Sequence, residues 1–204
     1  MLPNKFTTKE KEVIRNGLIK TAKEHFSIYG LQKTSIKDLT TEVGIAQGSF
    51  YNFYDSKEEL YFEILELEES DSEKYLEEII SQTNSAKEAI NKTIMATYNL
   101  FEKNSFLRRI YDSNDYEIMV RKLPDEKIKD HQIEDTQRVL NTIIKAKNEN
   151  ENIDVDPEII AGLLRAITIL NFHQEEIGQD IFPELIDVLA EIVADGLVKK
   201  NQFE

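Results

Sequence analysis

Between Lys37 and Lys57 stand several side chains that can address a nucleic acid. Gln47 carries an amide, which can pair with the N6 and N7 edge of adenine. Ser49, Tyr51 and Lys57 carry a hydroxyl, a phenol and an ammonium, groups that meet phosphate oxygens. Lys37 has the reach for a guanine edge or a phosphate. Gly48 and Ser49 are small enough to let the backbone approach a groove. Four aromatics, Phe50, Tyr51, Phe53 and Tyr54, crowd the same stretch. Phe50 and Tyr54, four apart, are expected to face a core, Tyr51 the outside, and Phe53 the rim. An alternative is that the whole cluster fills the core of a small three-helix unit.

Catalytic chemistry has less support. The 204 residues include no Cys, so disulfides, thiolate metal sites and Cys nucleophiles are excluded. The three His are dispersed, with no Glu-x-x-His or His-Glu-x-x-His spacing, and there is no nucleophile elbow or Gly-rich phosphate loop. No catalytic residue, metal site or cofactor is expected. The absence of Cys is compatible with a reducing cytoplasm, the expected location. The start, MLPNKFTTKEKEV, is too polar for a secretory signal, and no apolar run reaches the length of a membrane span.

The net charge of −14 argues at first against a nucleic-acid partner. Its distribution changes that reading. Residues 1–60 hold nine Lys/Arg against eight Asp/Glu, and residues 61–204 hold sixteen against thirty-one. The acidity belongs to the second part, and phosphate responds to local charge.

The elements that must position these groups are helical. Seven Gly and four Pro leave long periodic stretches, with no strand pattern. Thr7 and Glu10 form a capping box, and Gly30 ends the first helix as a left-handed C-terminal glycine. Thr34 or Ser35 caps a short second helix that Gly44 stops, and a third runs from Ala46 to Asp55. Ser56 and Ser85 open the fourth and fifth helices, to about Ser81 and Lys103. A sixth meets a polar break at Asp112–Asp115, and a seventh runs from about Pro124 to Lys147. Residues 148–154 form a charged loop. Asp156 and Pro157 start the eighth helix, to about His173, and a ninth runs from Phe182 to Lys199. Two short helices separated by Gly44 make a helix-turn-helix, whose second helix lies in the major groove.

The stretch TSIKDLTTEVGIAQGSFYNFYDSKEELYFEIL, from Thr34 to Leu65, resembles the N-terminal region of the tetracycline-repressor (TetR) family of bacterial regulators. The resemblance covers roughly residues 10–65. It implies an all-α protein of about nine helices. A helix-turn-helix DNA-binding domain would occupy residues 1–55, and a helical ligand-binding and dimerisation domain residues 56–204. It implies a ligand-responsive regulator, commonly a repressor, that binds a pseudo-palindromic double-stranded DNA operator as a homodimer. Carried over by position, Thr34, Lys37, Gln47, Ser49, Tyr51 and Lys57 are the expected DNA contacts, with Ser35, Gly48 and Asn52 beside them. The place after Asn52 often holds a His or Tyr that contacts DNA in the family. Here it is Phe53, which cannot donate to phosphate.

The second domain has weaker signals. The eighth and ninth helices are apolar around more than half their circumference, wider than the stripe of about 100° that one core face needs. Leu164, Ile167, Leu189, Ile192 and Val193 are therefore expected at a dimer interface; the alternative is a helix buried within one subunit. Between the fourth and eighth helices, Tyr98, Phe101, Phe106, Tyr111 and Phe172 are candidate walls for an apolar small-molecule inducer, with His173 as a polar anchor. The rival functional reading is an acidic helical protein-interaction module whose helix-turn-helix does not bind DNA.

Overall fold

The computed structural model describes residues 6–124, 126–128, 151–153 and 155–200; the side chain of Tyr111 and most of the predicted seventh helix lie outside the described set. The chain forms two compact units. Met1–Glu68 with Ser105–Pro124 make the first, and Glu69–Asn104 with Asp125–Glu204 the second.

In the first unit, α1 (Thr8–Lys33) begins at the expected capping box: Thr7 accepts from the Glu10 amide while the Glu10 carboxylate accepts from the Thr7 amide. The Thr7 amide and then its hydroxyl, both donating to the Glu10 carboxylate, lower that carboxyl's pKa from its ordinary value. Leu18, Ala22 and Phe26 recur every fourth residue and are buried. Gly30 has the positive φ that its sequence position suggests, but it does not end the helix. Its backbone (φ 81, ψ 172) makes a kink, and one further turn follows to Lys33. Ser35 caps α2 (Ile36–Val43) at the Asp38 amide, and Gly44 closes it in the left-handed conformation (φ 80, ψ 30). The next element is a 3-10 helix, Gln47–Asn52, in place of the α-helix expected from Ala46 to Asp55. Its Ala46 cap offers no side-chain acceptor, and Gly48 is a poor helix former. Ser56 caps α3 (Lys57–Ser81) at the Glu59 amide.

The polar break at Asp112–Asp115 divides the predicted sixth helix into α5 (Ser105–Asp112) and α6 (Asp115–Val120). Both belong to the first unit. Tyr61 of α3 joins them to the core: its ring centroid lies 4.9 Å from Phe26 and 5.0 Å from Phe106. All three rings are fully buried, each worth about 1.5–3 kcal/mol of transfer free energy.

The second unit packs α4 (Ala86–Lys103) against α7 (Pro157–Leu170) and α9 (Phe182–Leu197). Phe182, Ile186, Ala190 and Ala194 repeat at four-residue spacing and meet Ile90 and Ile94. The small alanines allow close helix approach. A single-turn α8 (Gln174–Ile177) lies between α7 and α9 in sequence. Glu151–Asn152 (β1) and Lys199–Lys200 (β2) pair antiparallel, a two-residue contact that alternation of residue types does not reveal. Among the described residues there are nine α-helices and one 3-10 helix, so the fold is all-α as expected.

Candidate nucleic-acid interface

The helix-turn-helix turns its apolar residues inward. Leu39 and Phe50 are fully buried and Tyr54 nearly so. Phe50 meets Tyr54 at 5.7 Å and Tyr51 edge-on at 5.6 Å. Tyr51 itself is 58% exposed, although it is a large ring in a small domain. Lys37, Gln47, Gly48 and Asn52 are exposed and Ser49 is half-exposed. A Cβ added at Gly48 would meet no atom, and its φ is not positive, so the fold does not demand glycine there. That is compatible with a backbone kept bare for an incoming partner. The Asn52 side chain is turned back and donates to the Ser49 carbonyl at 3.1 Å.

Three expected contacts are otherwise occupied. Thr34 is buried, and its hydroxyl donates to the Gly30 carbonyl at 2.8 Å. Ser35 is exposed, but its hydroxyl is engaged with Asp38 at 2.6 Å. Lys57 departs furthest from expectation. Its ammonium donates to the carbonyls of Leu31 (2.6 Å), Gln32 (3.2 Å) and Thr34 (3.0 Å). An ammonium has three N–H donors, so none is left for a phosphate. Lys57 instead satisfies the last carbonyls of α1, where a cation is favoured. Phe53 packs its ring 6.1 Å from Phe6, ahead of α1.

Ion pairs of Arg15 with Glu63 and Lys23 with Glu68, and a hydrogen bond between His25 Nε2 and Glu42 at 2.8 Å, fasten α1 to its neighbours. One node was not visible in the sequence. Asp115, at the start of α6, is only 5% exposed. Its Oδ2 accepts from the Leu31 amide at 3.0 Å and from Arg109 Nε at 3.3 Å.

In the second unit, α7 and α9 each divide their apolar residues between two faces. Ile167 is buried within the subunit core beside Ile160 and Ile186, contrary to its expected interface position. Leu164, Leu189 and Val193 pack partly against that core, whereas Ile192 is 63% exposed. Leu170, Ile181, Leu185, Val188, Leu189 and Ile192 line an open apolar groove of ≈ 520 Å³. Among the described residues that line it, Glu184 is the charged one.

The candidate ligand walls separate. Phe106 is fully buried in the first unit against Tyr61, so it is a core residue there. Phe101 meets Phe172 edge-on at 5.1 Å, and Tyr98 lies 6.0 Å from Phe182. His173 is solvated; its ring lies 3.8 Å from Glu176 and it makes no side-chain cap. The buried polar group at this end of α7 is Asn171. Its amide donates to the Ile167 and Thr168 carbonyls, and its Oδ1 has no partner.

The sequence comparison bears on the N-terminal part of the first unit. Residues 18–64 match the family model for bacterial regulatory proteins of the tetR family. The N-terminal region is thus similar in sequence to a tetR-family domain. No curated protein matches the chain by sequence. Solved structures extend the likeness in fold to the rest of the chain. A TetR-family transcriptional regulator from Rhodococcus sp. superposes with a TM-score of 0.69 at 14% identity, over 92% of this chain and 100% of that one. Another, from Syntrophomonas wolfei, has a TM-score of 0.67 at 20% identity, over 92% and 97%. The superantigen PfiT has a TM-score of 0.68 at 20% identity, over 91% and 96%. The chain thus has the fold of TetR-family regulators, with its helix-turn-helix at residues 34–54. Among the described residues no helix is long and apolar enough to cross a membrane, and no group of His, Asp or Glu has the arrangement of a metal site.

Proposed function

We propose that this protein is a homodimeric DNA-binding transcriptional regulator, a repressor that an apolar small molecule releases from a pseudo-palindromic operator. One observation carries the reading. The tetR-family helix-turn-helix buries Leu39, Phe50 and Tyr54 while leaving Lys37, Gln47, Gly48 and Tyr51 to solvent. Gln47 reads a base edge, and Lys37, Ser49 and Tyr51 hold the backbone. Lys57 acts from behind, by fixing the end of α1.

A second copy seated on the groove of α7 and α9 would cover Ile181, Val188 and Ile192 and build a four-helix contact. A two-fold dimer would meet half-sites about one DNA turn, roughly 34–36 Å, apart. The inducer enters among Tyr98, Phe101 and Phe172 by parting their ring pairs, and Asn171 Oδ1 supplies the polar anchor. It works only by favouring a state whose reading elements miss the operator. Shifting occupancy from 1:99 to 99:1 needs roughly 5.5 kcal/mol of differential affinity. α3, which carries Lys57 at its start, is the lever. A mobility shift with genomic fragments across a salt series tests the reading. Sequence-selective, salt-dependent binding supports it, and no binding at low salt rejects it.

The second reading, an acidic interaction module, draws on the net charge of −14 and on the superantigen that shares the fold. Capture of a protein partner at a salt concentration where no DNA fragment binds would favour it.

A further inference from the structure

The kink at Gly30 has a cost that α1 cannot meet by itself. Gly30 leaves the helical conformation (φ 81, ψ 172), so the Leu31 amide turns away from the helix's own carbonyl ladder. Leu31 is fully buried, so water cannot supply the missing acceptor. The residues that follow form a one-turn helix, with Gly30 in the position of its cap. The Gly30 carbonyl accepts from both the Thr34 amide (3.2 Å) and the Thr34 hydroxyl (2.8 Å). The next residue, Ser35, is the N-cap of α2. The last turn of α1 therefore leads straight into the helix-turn-helix.

The acceptor for Leu31 comes from α6. Asp115 Oδ2 lies 3.0 Å from its amide nitrogen, across 84 residues of sequence. Arg109 orients that carboxylate. Its Nε donates to the same oxygen at 3.3 Å, and its Nη1 donates to the Ile28 carbonyl at 3.4 Å. The guanidinium lies against Gly30, where an added Cβ would fall 2.4 Å from Nη2 and 2.7 Å from Nε. At the other end of the turn, Lys57 holds the Leu31, Gln32 and Thr34 carbonyls. The one-turn helix thus has a carboxylate at its positive end and an ammonium at its negative end, each the favoured charge.

We propose that Asp115 is the positioning residue of the helix-turn-helix, a clasp on α6 without which the Gly30–Ser35 turn does not hold α2 in its DNA-reading orientation. The clasp has two states by construction. With α6 docked, the Leu31 amide is satisfied. With α6 withdrawn, a buried N–H is orphaned, and the turn must rearrange to recover an acceptor. Asp115 touches no DNA in either state. Its effect on operator binding, which rests on the function proposed above, is transmitted through Leu31.

The test is amide hydrogen exchange at Leu31 in the full-length protein, alongside a mobility shift on an operator fragment. Asp115→Ala should speed Leu31 exchange by about ten-fold or more relative to α4 amides. It should weaken operator binding roughly two- to thirty-fold. Asp115→Asn keeps an acceptor oxygen and should restore most of the Leu31 protection. Met119→Ala, a buried position on the same helix, should lower the melting temperature without a selective change at Leu31. Should Asp115→Ala fail to fold, Arg109→Gln decides: the clasp requires faster Leu31 exchange and weaker operator binding in that folded variant. A folded Asp115→Ala protein with Leu31 still protected, or with Leu31 exposed and operator affinity unchanged, overturns the proposal. If the wild type binds no DNA, the functional reading fails, and the exchange rates at Leu31 and in α2 alone judge the clasp.

Discussion

Lys57 Nζ lies 2.6 Å from the carbonyl oxygen of Leu31, and the same ammonium closes on Gln32 and Thr34. The lysine that the family resemblance assigns to phosphate is, in this chain, an internal cap. Its replacement should therefore act on stability more than on charge. Lys57→Ala should destabilise the first unit by about 1.5–3 kcal/mol, the range for hydrogen bonds to a charged group. It should leave the dependence of log K on log salt near wild type. Urea unfolding and a salt series check the two halves.

Lys37 supplies the contrast. It is exposed on α2. Lys37→Ala should flatten the salt plot by about one unit per lost contact, hence about two per dimer, with little change in stability. A slope that changed for Lys57→Ala and not for Lys37→Ala would reverse the two assignments.

The proposed function gives base reading to Gln47. Gln47→Ala should cost roughly 1–3 kcal/mol at one base-pair position of each half-site and relax preference there. Affinities for operators permuted at each position would show it. A uniform loss across all permutations would mean that Gln47 positions the backbone and does not read bases.

Tyr61 is buried between Phe26 and Phe106, and its hydroxyl has no hydrogen-bond partner. Burial, and secondarily the Asp115 carboxylate, raise its pKa well above the ordinary tyrosine value, while Arg109 opposes them. The folded state therefore holds the proton more tightly than the unfolded chain. That contribution is fully present below the unfolded value, about 10, and is lost as pH rises through the folded one. Tyr61→Phe should keep the ring contacts, change stability near pH 7 by less than about 1 kcal/mol, and make the alkaline loss of stability shallower. Thermal melts from pH 7 to 11 measure both.

The two faces of the last helices predict different failures. Ile192→Asp places a charge on the exposed face of α9 and should give a folded monomer. Ile167→Asp places one in the subunit core and should cost several kcal/mol of stability, leaving little folded protein. Light scattering with circular dichroism separates the outcomes; a wild type monomeric at micromolar concentration would remove the dimer from the proposal.

What the sequence determined by itself was local. Thr7 with Glu10, Ser35 with Asp38, Ser85 with Glu88, and Asp156 before Pro157 all start helices where their types and spacing say they should. Each device operates within a single turn, so the order of residues fixes its geometry. Gly44 is legible for the same reason: the turn needs a positive φ, and glycine adopts it without strain. The inward Phe50 and Tyr54 and the outward Tyr51 follow from one short helical register. Tertiary structure decided what depends on partners far along the chain. A lysine beside a helix start can serve a phosphate or a carbonyl, and only the fold of α1 onto α3 brings three carbonyls to Lys57. Asp115 sits in a polar break like many solvated aspartates until α6 packs on the kink at Gly30. On α7 and α9, apolar residues cover most of the circumference, so periodicity cannot say which face is core. Packing against α4 makes that choice, taking Ile167 inward and leaving Ile192 outside.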